Sequence, residues 1–117
     1  RRRAITRLRM NLALQLREPS SPDPEALPTV VAECMYTPKK RTSPTGQALQ
    51  VGRKDFRYWP VAAHLLDWLE ADGGKIGDVA RALDISTGTL TRVLKADRHL
   101  LAAVQTIRRN HGLGPIS

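Results

Sequence analysis

Cysteine, aromatic residues and acids are all scarce in this chain. Cys34 is the only cysteine among 117 residues, which excludes an internal disulfide and a cysteine-rich zinc site. One Phe, two Trp and two Tyr make up 4% of the chain, so any core must be aliphatic. No uninterrupted apolar run approaches the ~20 residues that cross a bilayer, and no membrane partner is expected. A basic-then-apolar leader is also missing, which makes the cytoplasm the expected location. His64, His99 and His111 stand in no metal-ligand spacing. No serine or cysteine nucleophile has an accompanying base pattern, and no glycine-rich phosphate loop is present. Neither a metal nor a cofactor is therefore expected, and no catalytic residue is assigned.

What the chain does have is positive charge. Nineteen Lys and Arg stand against eleven Asp and Glu, a formal charge of +8 with a pI near 10.6. Such a balance suits a polyanionic partner. The charge is unevenly placed. Residues 1–18 carry +5, residues 19–36 carry −3, residues 37–58 carry +5 and residues 59–117 only +1. Phosphate contacts are therefore sought first in the N-terminal segment and the middle of the chain.

Three segments are expected: a basic helix at 1–18, a Pro-rich basic linker at 19–57 and a helical domain at 58–114. In the first, Ile5, Leu8, Leu12 and Leu16 recur at helical spacing, and Ala4, Met10, Ala13 and Leu14 widen that apolar face. Arg3, Arg7 and Arg9 lie among them, and Pro19 ends the helix. Six of the eight prolines fall between Pro19 and Pro44, with Ser20, Ser21, Thr42, Ser43, Thr45 and Gly46 adding turn chemistry. That reads as an irregular linker. Its one candidate element is a strand over Thr29–Tyr36, on β-branched content.

From Pro60 onward the pattern is helical. Val61, Leu65, Trp68 and Leu69 form a stripe that Gly73-Gly74 ends. Ile76, Val79, Ala80 and Leu83 form a second. Ser86 caps a third helix with Leu90, Val93 and Leu94 inward, and Asp97 caps a fourth with Leu100, Leu101, Val104 and Ile107 inward. Ala63, Leu66, Ala82 and Ala103 help to fill this core. Arg108, Arg109 and His111 complement the last helix's dipole, and Gly112 stops it. The expected class is all-α, a four-helix, helix-turn-helix-like bundle behind a basic amphipathic helix and a linker.

The stretch Val79–Leu94 meets the physical needs of a helix-turn-helix. Ala80 is small enough for close helix approach, and Ile85 and Leu90 bury the corner. Asp84 takes the turn position that glycine usually holds, and aspartate tolerates the left-handed region. The outward residues of the second helix would be Thr87, Thr89, Thr91, Arg92 and Lys95, types that reach base edges or phosphates. The near-neutral charge of this half weighs against autonomous DNA reading. In the linker, Lys39, Lys40 and Arg41 are expected on phosphates. Arg53, Lys54 and Arg57 interleave with Phe56, Tyr58 and Trp59, a pattern that suits RNA stacking. Trp59 also fits a hydrophobic staple before Pro60. Cys34 has no neighbouring cation in sequence to make it a thiolate.

The run Arg2-Arg3-Ala4-Ile5-Thr6-Arg7-Leu8-Arg9-Met10-Asn11-Leu12-Ala13-Leu14-Gln15-Leu16-Arg17 resembles the helix that follows the Gly-Gly-Gln catalytic region in bacterial release-factor-like proteins. These are similar to the catalytic domain of class I peptide chain release factors. Residues 58–113 are similar to the helical C-terminal extension that a subset carries: Tyr58 and Pro60, then Ala80, Leu83, Ser86 and Leu90, then Ala103-Val104 with Arg108 and Gly112-Leu113. Together the two blocks span about 70 of the 117 residues. The resemblance implies codon-independent peptidyl-tRNA ester hydrolysis on the ribosome, in which the glutamine of Gly-Gly-Gln positions the attacking water. This chain has no Gly-Gly-Gln, since Lys75 follows Gly73-Gly74, and no catalytic residue carries over. The missing region is expected upstream of Arg1; the lack of an initial methionine and the leucine stripe without strands to pack on agree.

Three readings compete. In the first, the chain is the non-catalytic C-terminal part of a translation termination or ribosome-rescue protein that contacts ribosomal RNA, with tRNA as a further candidate. In the second, it is a helix-turn-helix DNA-binding regulator. In the third, the leucine face docks a partner protein.

Overall fold

The computed structural model describes residues 2–16, 18–23, 25–36 and 47–116, of which residues 2–4 and 6 by their backbone only. The element order is α1 (Arg2–Gln15), α2 (Thr29–Glu33), β1 (Met35–Tyr36), β2 (Ala48–Leu49), α3 (Tyr58–Ala71), α4 (Ile76–Ala82), α5 (Thr87–Lys95) and α6 (Arg98–Asn110). Among the described residues the fold is all-α apart from β1 and β2, which pair antiparallel with Met35 opposite Leu49 and Tyr36 opposite Ala48.

Helices α3 to α6 enclose an aliphatic core. Val61, Leu65, Leu66 and Leu69 of α3, Val79 and Ala80 of α4, Leu90 and Leu94 of α5, and Leu100 and Val104 of α6 are all buried. Leu101, placed inward by periodicity, sits at the boundary. Start signals act locally. The Ser86 hydroxyl accepts the Thr89 N–H at 3.1 Å, and the Asp97 carboxylate accepts the N–H groups of His99 and Leu100 at 2.7 and 3.3 Å. Each cap satisfies donors that a helix start leaves open.

Three helices stop in the same way. In α3 the Gly74 N–H reaches back to the Leu69 carbonyl at 2.7 Å, in α4 the Ile85 N–H to Ala80 at 3.0 Å, and in α6 the Leu113 N–H to Arg108 at 2.8 Å. This closure needs a left-handed residue just past the helix. Gly73 and Gly112 supply it at φ +69° and +78°, and Asp84 supplies it at φ +58°. The α4–α5 corner is thus a helix-turn-helix turn built on aspartate, with Ile85 buried beneath it. Asp84→Val is expected to cost about 1–2 kcal/mol, because a β-branched side chain crowds the left-handed backbone. Asp84→Gly should be neutral or better. Urea melts of the two variants test the corner; a valine variant as stable as the parent would remove it.

The segment 19–57 is not an open linker where it is described. Val31, Cys34, Leu49 and Val51 join the same core as α3 to α6, and the Gln47 N–H donates to the Asp84 carbonyl at 3.1 Å. The expected strand at 29–36 is a short helix followed by two strand residues. Pro28 sits at its start, and Val30, Val31 and the C-cap Cys34, with Leu27 just ahead of it, are buried or half-buried. That is helical spacing, which β-branched content masked. Trp59 is likewise no staple outside the helix. The helix begins at Tyr58, and Trp59 lies in its first turn, edge-on to the Tyr58 ring at 5.3 Å.

Helix α1 packs against α3, but not through its leucines. Ala13 is 3% exposed, with Met10 and Leu14 half-buried beside it. Ile5, Leu8, Leu12 and Leu16 face outward, at 49 to 63% exposed. A small residue lets two helix backbones approach closely, and the bulky stripe is left on the opposite side.

Candidate nucleic-acid interface

The outward face of α5 follows from its inward one. With Leu90, Val93 and Leu94 buried, the exposed positions are Thr87, Gly88, Arg92 and Lys95, with Thr91 half-buried between them. Arg92 and Lys95 lie in the last turn, where cations complement the helix dipole. Thr89 is not among the exposed positions. It is half-buried, and its hydroxyl accepts a hydrogen bond from the Ser86 hydroxyl at 2.8 Å. The cap uses the residue that sequence spacing placed on nucleic acid.

The C-terminal tail is tied back to α6 by side-chain bonds. Gln105 holds Ile116 from both sides, accepting its N–H at 2.9 Å and donating to its carbonyl at 3.4 Å. Arg108 donates to the carbonyls of Gly114 and Gly74 at 2.9 and 2.8 Å, so its charge serves the fold. A cleft of about 500 Å³ is lined by Thr87 and Thr91 of α5, Ile76 and Gly77 of α4, and Leu113, Pro115 and Ile116 of the tail.

A second cationic site is built on the turn at 52–57, just before α3. The Asp55 N–H donates to Gly52 O at 2.9 Å and the Tyr58 N–H to Asp55 O at 3.0 Å. The Asp55 carboxylate accepts the Arg57 backbone N–H at 2.8 Å and two guanidinium bonds, from Nε at 3.1 Å and Nη2 at 2.8 Å. These bonds to Arg57 hold the Asp55 carboxyl down at about 2 and raise the Arg57 pKa. Glu33 adds a looser pairing to Arg57 at 3.7 Å. Arg57 is a structural clamp, already neutralised. Arg53 and Lys54, by contrast, are exposed on the turn.

Two long-range bonds bring other parts of the chain here. Arg9 of α1 donates to the Phe56 carbonyl at 3.4 Å, across 47 residues of sequence. The buried Tyr58 hydroxyl donates to Val93 O in α5 at 2.9 Å. Burial pushes the Tyr58 phenol pKa up and the Asp97 charge adds to it, while the Asp97 backbone and the Arg53 charge act against them. The turn is the junction between the Arg9 face of α1 and the α5 helix.

The aromatic pattern resolves into two parts. Tyr58 and Trp59 are core residues. Phe56 is 74% exposed, and the Arg57 guanidinium carbon lies 5.8 Å from its ring centroid. The spacing of the three rings with basic residues assigns only Trp59 a separate role, as a staple, and does not separate Phe56 from Tyr58. The available signal was position: Phe56 falls outside the inward stripe of α3.

Of the other residues expected on nucleic acid, Arg7 is exposed on α1, Arg3 is placed by its backbone only, and Lys39, Lys40 and Arg41 lie outside the described residues. Cys34 is buried, and burial pushes its thiol pKa up, with Arg57 opposing. His64 stacks on Trp68 at 5.9 Å, and His111 lies 3.6 Å from Glu70. Among the described residues no group of three or more His, Cys, Asp or Glu is arranged to hold a metal, and no helix is long and apolar enough to cross a membrane. No family model, curated protein or solved structure matches the chain.

Proposed function

We propose that the chain is the C-terminal, non-catalytic portion of a cytoplasmic release-factor-like protein of translation termination or ribosome rescue, and that it binds ribosomal RNA. The observation that carries the reading is helix α1, where exposed Arg7 and Arg9 accompany an exposed Ile5/Leu8/Leu12/Leu16 stripe. A contiguous apolar stripe left open on a basic helix calls for a covering surface. In this reading a release-factor-type domain bearing Gly-Gly-Gln covers it, and peptidyl-tRNA hydrolysis belongs to that domain. The cations at Arg9, Arg53 and Lys54 then meet ribosomal phosphates.

The DNA reading draws on the helix-turn-helix corner at Asp84 and on Arg92 and Lys95. Two observations disfavour it. The C-terminal half is close to neutral, and the tail lines one cleft with Thr87 and Thr91, where base edges would have to approach.

Ribosome co-sedimentation across a salt series tests the proposal. Binding at low salt should fall steeply as salt rises, with a log–log slope of about −2 if three cations each meet one phosphate. Reversing Arg9, Arg53 and Lys54 to Glu should abolish it. No association at low salt, or sequence-selective duplex DNA binding that Arg92→Ala removes, would put the regulator first. Intact mass of the endogenous protein, read with the coding sequence ahead of Arg1, tests for the Gly-Gly-Gln region directly.

A further inference from the structure

We infer that Phe56 is a stacking platform for one unpaired RNA base, with Arg9, Arg53 and Lys54 placed for the phosphates on either side of it. This rests on the RNA-binding reading above and names how that site would grip a strand.

The Phe56 ring is 74% exposed on a tight turn, outside the core that holds Tyr58 and Trp59. The turn is also rigid: Asp55 accepts three hydrogen bonds from Arg57, and Arg9 holds the Phe56 carbonyl. The ring is therefore presented without a large ordering cost on binding. Its geometry is asymmetric. The Arg57 guanidinium, fixed by Asp55, lies 5.8 Å from the centroid. A base on the open side would complete a stack of cation, phenyl ring and base, an arrangement that tolerates any base because each has a π-face. Exposed cations flank the ring in sequence at Arg53 and Lys54 and across the fold at Arg9. Arg57 contributes no net charge, since Asp55 neutralises it, so the site has cations for phosphates and a ring for the base in separate places. A protein partner would also cover a phenylalanine. The surrounding exposed arginines and lysine favour a polyanion.

The test uses a short fluorescein-labelled oligoadenylate alongside intact ribosomes, with binding followed by anisotropy over a salt series. Phe56→Ala should weaken oligoadenylate binding about tenfold or more and leave the salt slope unchanged, because no phosphate contact is lost. Arg53→Ala with Lys54→Ala should flatten the slope. Phe56→Trp should restore affinity, and its emission should be quenched on binding, while Trp59 and Trp68, both buried, stay silent. Phe56 is exposed, so none of these variants should perturb folding. Unchanged RNA affinity in Phe56→Ala overturns the platform. If that variant loses ribosome binding but keeps RNA affinity, the platform is overturned in favour of a ribosomal protein contact. Ribosome binding without oligoadenylate binding overturns the platform and leaves the ribosome reading standing. Phe56-dependent oligoadenylate binding without ribosome binding does the reverse.

Discussion

Gly74→Val should destabilise the protein by about 2–5 kcal/mol, the sum of a left-handed backbone forced on a β-branched residue and an overpacked helix contact. Gly74 has φ +80°, and a Cβ there would sit 3.1 Å from the Cα of Arg108 and 3.2 Å from its Cγ. The nearest obstacle is the α6 backbone, which cannot yield without opening the α3–α6 contact. Gly74 O also accepts the Arg108 guanidinium, so displacing α6 loses that bond as well. A drop in melting temperature of roughly 10–30 °C follows for a domain of this size. Gly77→Ala and Gly88→Ala are the controls. Both lie in helices with no atom within 4 Å of the added carbon, and each should gain about 0.5–1 kcal/mol. Urea melts of all three variants separate close approach from glycine content alone. Equal stability of Gly74→Val and the parent would show that α6 does not press on this turn.

Leu65→Ala and Leu12→Ala, the same substitution on two stripes of similar sequence pattern, should differ greatly. Leu65 is fully buried and should cost about 2–5 kcal/mol through lost burial and a residual cavity. Leu12 is 49% exposed and should stay within about 0.5 kcal/mol of the parent. Ala13→Leu, at the buried position next to it, should cost about 1–3 kcal/mol by pushing α1 off α3. Denaturant melts decide the order. If Leu12→Ala proves as damaging as Leu65→Ala, the stripe is packed and the case for a covering domain falls. Beside Leu12 and Leu16 an open groove of about 290 Å³ runs along Trp59, Pro60 and Ala63, with Arg9 and Asp67 also lining it. The covering surface therefore has a side-chain-sized recess to fill.

Short-range and long-range interactions divide the two halves of the chain. Caps, stops and the α4–α5 corner are chemistry between near neighbours. Ser86, Asp97, Gly73 and Gly112 act within a few residues of themselves, and aspartate at 84 adopts the left-handed backbone that its short polar side chain permits. The all-α class and the inward faces of α3 to α6 follow from the same short-range periodicity. The N-terminal half obeyed longer-range terms. Its leucine stripe, which has no strands here to pack on, stands open, but Met10, Ala13 and Leu14 do not widen that face: they form a second one, which packs on α3. A β-branched run suggested a strand, yet packing of Val31 and Cys34 on the α3 core selected one turn of helix. Charge could be counted from residue order, but not sorted. Arg57 and Arg108 became structural only because Asp55, Gly74 and Gly114 were folded against them, and Arg9 reached the Phe56 turn from 47 positions away. Which cations remain for a partner, and which ring stands outside the core, depends on contacts between distant segments, and those exist only once the chain has folded.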